Sequence, residues 1–317
     1  MKNPKQKFWQ PYAGGVIWLI ILVWLHPSPF QTGWAMRLLL LAPLVLAPVG
    51  LRLAILSDRN VSAFGLLLLS SQLQFPSAVV LAIAFLQPPG LLAGLMSLPW
   101  FITTAIISWM GFVHIRERGL KSWENLCIDA GLVYLVVGGG WTVLSRWGMR
   151  PLNFEPVIVL LTAIHFHYAG FLLPIFTGLA AQKLKGALSR LAVFGVIAGV
   201  PLVAVGITAT QLGFGTWLES FAALVLAGAG LLTAWLHLRL AAQKHWPSTV
   251  RVLWSIAAFS LAFSMILAAL YGLRFNLSLA WLDIPWMRAL HGSANALGFG
   301  LAGVMAWNRS NLENRNG

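Results

Sequence analysis

Apolar runs of bilayer-crossing length recur from end to end of this 317-residue chain, and no other feature limits its fold so strongly. A helix needs about 20 mostly apolar residues to cross a hydrocarbon core roughly 30 Å thick. Inside that core only helices and closed barrels satisfy their own backbone polar groups. The runs lie near 11–26, 34–56, 61–86, 89–115, 126–145, 156–181, 189–209, 216–238, 249–273 and 287–307. The expected fold is therefore all-α, a polytopic transmembrane helical bundle of about ten spans. Only 9% of residues are charged, where soluble domains have about 25%. No stretch is polar enough for a separate soluble domain, so one integral membrane domain is expected over 1–317.

Lys and Arg set the orientation, because cytoplasmic loops are enriched in them. With both termini cytoplasmic, sixteen of the 21 basic residues fall inside: Lys2, Lys5, Lys7, Arg52, Arg59, Arg116, Arg118, Lys121, Lys183, Lys185, Arg190, Arg239, Lys244, Arg251, Arg309 and Arg315. Arg37, Arg146, Arg150, Arg274 and Arg288 fall outside. Removing the weakest span, which "SSQLQFP" (Ser70 to Pro76) interrupts, spoils this bias. That span is expected as one kinked helix or two half-helices. The three N-terminal lysines ahead of the run from Ala13 to Leu25 resemble a signal peptide, but "HPSPFQ" follows in place of a small-x-small cleavage site, so an uncleaved first span is expected.

The net charge of +13 is thus explained by basic loops against anionic headgroups, and it argues for a bilayer partner and against nucleic acid. Trp9, Trp24, Trp34, Trp123, Trp147, Trp217, Trp246, Trp281, Trp286 and Trp307 fall near span ends, as interfacial tryptophans do. Gly138, Gly139, Gly140, Gly228 and Gly230 are read as close helix packing. Cys127, the single cysteine, excludes an intrachain disulfide or a cysteine-built metal site and reads as a small buried apolar residue.

Ionisable residues within spans are costly and mark function. "LTAIHFHYAGF" (Leu161 to Phe171) carries His165, His167 and Tyr168; Glu219 opens the eighth span, and His291 and Asn295 lie in the tenth. At a rise of 1.5 Å per residue, His165 lies roughly 13–15 Å, Asn295 about 12 Å, His291 about 6 Å and Glu219 about 5 Å below the outer boundary. All six are expected in the outer half or at the centre, lining one cavity. His165 and His167 are about 200° apart on a regular helix and cannot face one point. Either one bonds a neighbouring helix, or the helix is distorted ahead of Pro174. His291 and Asn295, at i and i+4, share a face. Taken alone, Asn295 and Tyr168 read as interhelical hydrogen bonds; the three mid-helix imidazoles read as functional. Asp129, Gln72 and Gln74 are further polar residues, Asp129 being assigned to the loop region. His26, His114, His237 and His245 are assigned to span ends and loops.

"IHFHYAGF" (Ile164 to Phe171), followed much later by "HGSANALGF" (His291 to Phe299), resembles the YndJ-like family of bacterial multi-pass membrane proteins. The resemblance covers most of the chain in span pattern. It implies a bacterial cytoplasmic membrane and supports the choice of His165, His167, Tyr168, His291 and Asn295, but it supplies no reaction.

The expected function is an intramembrane enzyme using histidine acid–base chemistry on an apolar, lipid or isoprenoid-like small molecule. Catalytic candidates are His165, His167, His291, Tyr168, Asn295 and Glu219, the last orienting or protonating a histidine. No GxSxG nucleophile is present. A haem or metal redox protein is the second reading, although the 7–9 Å height difference between His165 and His291, about five to six residues of rise, argues against one shared ion. A transporter is the third, weakened by the lack of a visible duplicated half. Cofactor, substrate and oligomeric state stay open at this level.

Overall fold

A computed structural model describes residues 8–25, 28–57, 64–277 and 281–316. Lys2, Lys5, Lys7, His26 and Arg59 lie outside the described residues, as does the side chain of Arg315. The described residues form ten helices in succession, with a single 3-10 turn at Pro151–Asn153 between the fifth and sixth, and no strand. They are α1 (Gln10–Leu25), α2 (Thr32–Leu56), α3 (Phe64–Ala84), α4 (Leu91–Arg118), α5 (Trp123–Trp147), α6 (Pro156–Lys183), α7 (Ala187–Gln211), α8 (Trp217–Ala241), α9 (Ser248–Gly272) and α10 (284–316). Seven of these, α2 and α4 to α9, are long and apolar enough to cross a membrane. The first and third contribute shorter apolar helices, Gln10–Trp24 and Leu69–Ala84. The described part of α3 runs unbroken through Pro76.

Local chemistry sets the ends. Ser122 accepts the Asn125 N–H at the start of α5, and Asp283 accepts the Trp286 N–H at the start of α10. Gly148, at φ +78°, closes α5 in a conformation that side-chain-bearing residues avoid. The most apolar windows of α2 and α6 are 83% and 67% buried, against 33% for α7 and 39% for α4 and α9. So α2 and α6 form the centre. The outer helices turn large apolar side chains outward, among them Trp109, Phe112, Leu191, Phe259 and Phe263, as a lipid-facing surface does.

Three helices widen into π turns: α2 at Ala42–Leu46, α6 at Tyr168–Leu172, and α10 at Met287–Gly292 and Ala294–Ala302. These stretches pack on one another; a Cβ on Gly300 would lie 3.1 Å from Leu46 and 3.3 Å from Tyr168. In α2 the widening coincides with two prolines five residues apart, and each orphans a carbonyl. The Ala42 N–H turns to the Leu39 oxygen, and Pro43 has no N–H, so the Leu38 carbonyl loses its donors along the chain. The Tyr168 hydroxyl donates to it at 2.7 Å. One turn on, the Ala47 N–H turns to Ala42, Pro48 has no N–H, and Gln74 Nε2 donates to the Pro43 carbonyl at 2.6 Å. Both polar side chains are thus placed in the interior by backbone groups that nothing else satisfies.

Several positions differ from the sequence reading. Asp129 lies inside α5, buried, where it accepts from Arg118 at 3.0 Å and lies 3.3 Å from His114 Nδ1. His114 is buried with it because α4 continues to Arg118 and keeps the histidine one turn inside. His237 is fully buried rather than interfacial, since α8 runs on to Ala241 and α10 covers it. Trp246 and Trp307 are buried as well, stacked edge-on around Trp254, while Trp9, Trp24, Trp217, Trp281 and Trp286 are exposed. Gly138, Gly139 and Gly230 do face close neighbours, but Gly228 has open space.

The five arginines assigned outside are each held by the protein. Arg37 donates to the Gly33 carbonyl, Arg146 to Gln87, Arg150 to Phe154 and Glu155, Arg274 to Glu219, and Arg288 to Phe30 and Thr32.

Candidate functional site

The sixth helix begins at Pro156 as a regular α-helix and keeps that form to His167, then widens through Tyr168–Leu172 ahead of Pro174. His165 and His167 accordingly face different surroundings. His167 turns to α4 and α5: its Nδ1 donates to the Ala163 carbonyl at 2.8 Å, and its Nε2 accepts the Trp100 indole N–H at 3.0 Å. A Cβ on Gly138 would sit 2.8 Å from that ring, so glycine is what lets the imidazole lie against α5. Both nitrogens are occupied and the residue is wholly buried. His237 repeats the arrangement, with Nδ1 on the Thr233 carbonyl at 2.8 Å and Nε2 taking the Trp307 indole at 3.1 Å. In each, the carbonyl partner fixes the proton on Nδ1.

His165 faces the other way, into a cavity of about 240 Å³ lined by residues of α6, α7, α8, α9 and α10 and by Arg274 just beyond α9. Five of the six candidate residues line it: His165, Tyr168, Glu219, His291 and Asn295; His167 does not. The rest of the wall is largely aliphatic, including Leu161, Val203, Ile207, Leu226, Leu261 and Met265. Tyr168 contributes its ring, its hydroxyl being committed to Leu38.

The polar groups differ in what they have left to offer. His291 Nδ1 donates to the Ser264 carbonyl at 2.8 Å, and its Nε2 accepts from Asn295 Nδ2 at 3.1 Å. Asn295 Oδ1 lies 3.0 Å from the Ser264 hydroxyl, which also reaches the Leu261 carbonyl at 2.9 Å. This chain of bonds fixes the histidine tautomer and the amide orientation together. Glu219 accepts from Arg274 Nη2 at 2.6 Å, so it serves an ion pair and no histidine. The Arg274 guanidinium is held between the rings of Tyr271 at 4.2 Å and Phe275 at 4.0 Å. His165 stands apart: its Nε2 is buried without a hydrogen-bond partner. Among the described residues, no group of three or more His, Cys, Asp or Glu gathers as a metal-ion site.

Sequence reasoning missed Tyr271 and Arg274 in this wall, Ser264 behind it as the partner of Asn295 and His291, and Trp100 and Trp307 as partners of His167 and His237. Ser264 carries no charge to mark it, and the distribution of basic residues puts Arg274 in an outer loop. The aromatic flanks of Arg274 in "LYGLRFN" (Leu270 to Asn276) are the one legible signal.

A family model described as YndJ-like protein matches residues 37–299, and the chain belongs to that family. The uncharacterized membrane protein YndJ of Bacillus subtilis (strain 168) is 28% identical over 218 residues, which is 68% of this chain and 38% of that protein. The chain thus spans about two fifths of the length of the curated relative it matches. No solved structure matches. By family and by its apolar helices, the protein is a multi-pass membrane protein.

Proposed function

We propose that this member of the YndJ-like family is an intramembrane enzyme of the bacterial cytoplasmic membrane that transfers protons on a lipid or isoprenoid-like molecule, with His165 as the reacting acid–base. One observation carries the reading: a mid-helix imidazole lines an apolar cavity while its Nε2 has no partner. Buried polar atoms are almost always satisfied, and an exception calls for an explanation in function. Geometry favours His165 over His167 and His291, which have both ring nitrogens engaged, and over His114, whose Nε2 is also unpartnered but which does not line the cavity. That same engagement disfavours a zinc or copper reading, which needs several free donors. His291 and Asn295 serve as a fixed polar wall opposite an apolar substrate.

The chemistry is removal of a proton from one atom of the bound molecule and its return at another, as in an isomerisation. It needs no nucleophile and no co-reactant. The test is reconstitution in vesicles of bacterial lipid extract prepared in D2O, followed by mass spectrometry of the lipids. The reading expects one lipid class to gain deuterium with the wild-type protein and not with His165→Phe. Equal labelling with both proteins, or none with either, would sink it.

A further inference from the structure

We infer that the molecule held in this cavity is uncharged, a lipophile whose reacting end carries a hydroxyl or carbonyl as its polar group. The inference narrows the function proposed above and rests on it. It comes from the state of each polar group in the wall. The two formal charges there, Glu219 and Arg274, cancel each other across 2.6 Å, with the Glu219 side chain 9% and the Arg274 side chain 26% exposed. Arg274 is further pinned between Tyr271 and Phe275. The Tyr168 hydroxyl is committed to Leu38, and His291, Asn295 and Ser264 satisfy one another. What is left is the His165 ring, whose Nε2 is buried without a partner, and the Tyr271 hydroxyl, and both are uncharged hydrogen-bonding groups.

A carboxylate or phosphate head would have to draw Arg274 away from Glu219 and strand that carboxylate in an apolar wall. An ammonium head would have to draw Glu219 away and strand the guanidinium. Removing one partner of a buried pair is costly because the other is left uncompensated. A hydroxyl or carbonyl disturbs neither, since it needs one hydrogen bond, and an imidazole supplies it as donor or acceptor. Size agrees with one chain end and not with a whole two-chain phospholipid: a cavity of about 150 Å³ holds benzene, so the 240 Å³ here takes roughly ten non-hydrogen atoms.

The test uses the full chain in detergent at pH 8, with four probes of one chain length: decanol, 2-decanone, decanoate and decylammonium. Binding is read by competition or by thermal shift. The neutral pair is expected to bind about tenfold or more tighter than either ion. His165→Phe is expected to weaken neutral binding about tenfold, the worth of one good hydrogen bond. Glu219→Gln frees Arg274 and is expected to move the preference about tenfold toward decanoate, while Arg274→Gln is expected to move it toward decylammonium. The two variants are reciprocal, so failure of one to fold leaves the other. Decanoate or decylammonium binding the wild type as tightly as decanol overturns the inference, and leaves the proposed function standing if binding still depends on His165. If none of the four binds, or if His165→Phe changes nothing, the proposed function falls and takes this inference with it.

Discussion

The Trp100 indole donates to His167 Nε2 across 3.0 Å, and Trp307 donates to His237 Nε2 in the same way across 3.1 Å. Two histidines on different helices are thus closed off by the same pair of bonds, an indole on one ring nitrogen and the carbonyl one turn back on the other. They hold helices together, α6 to α4 and α8 to α10.

His167→Ala and His237→Ala are therefore stability variants. Each leaves an indole N–H buried without an acceptor, which costs about 1–3 kcal/mol. Thermal unfolding in detergent should show a lowered Tm for both. Ligand binding by the fraction still folded should match the wild type; a selective loss of binding in His167→Ala would place it in the site after all.

His165→Phe should behave in the opposite sense. Replacing a buried, unpartnered nitrogen by an apolar ring of similar breadth is neutral or stabilising. The Tm is expected to hold or rise while deuterium transfer to lipid disappears. A marked fall in Tm would mean that the imidazole has a structural partner.

Tyr168→Phe orphans the Leu38 carbonyl and is expected to cost about 1–3 kcal/mol. Pro43→Ala restores an N–H in that turn. The double variant should therefore lose less stability than the sum of the singles, by about 0.5 kcal/mol or more, as contacting sites do. Strict additivity measured by thermal or denaturant unfolding would refute the coupling.

Ser264→Ala removes the hydroxyl beside Asn295 Oδ1 and frees the amide to rotate away from His291. Folding should be nearly unaffected and labelling of the substrate reduced about tenfold, the scale of one misplaced hydrogen bond. Unchanged labelling would show that the orientation of His291 is immaterial to the chemistry.

Much of this was legible in the sequence, for identifiable reasons. Long apolar runs leave helices as the available structure, so each expected run overlaps an observed helix. The 200° separation of His165 and His167 foretold that they would face apart, as they do, since rotation per residue is fixed wherever the helix is regular. His237 reads as interfacial because Arg239 is beside it, yet the helix runs on to Ala241, three residues past the expected end, and keeps it inside. The indole partners could not be read at all. Trp100 lies 67 residues from His167 and Trp307 lies 70 from His237, so only the packing of helices brings them together. The π turns were hidden as well, although Pro43 and Pro48 stand one π turn apart and the sequence displays both.

Those prolines give the lineage of such proteins a direction of travel. A chain that first trades Pro43 for a residue bearing an N–H can later discard the Tyr168 hydroxyl at little cost. A chain that discards the hydroxyl first must carry a bare carbonyl through every generation in between. Relatives lacking a hydroxyl or amide donor at the position of Tyr168 should therefore also lack proline at the position of Pro43, whereas the converse pairing, tyrosine without proline, should be common.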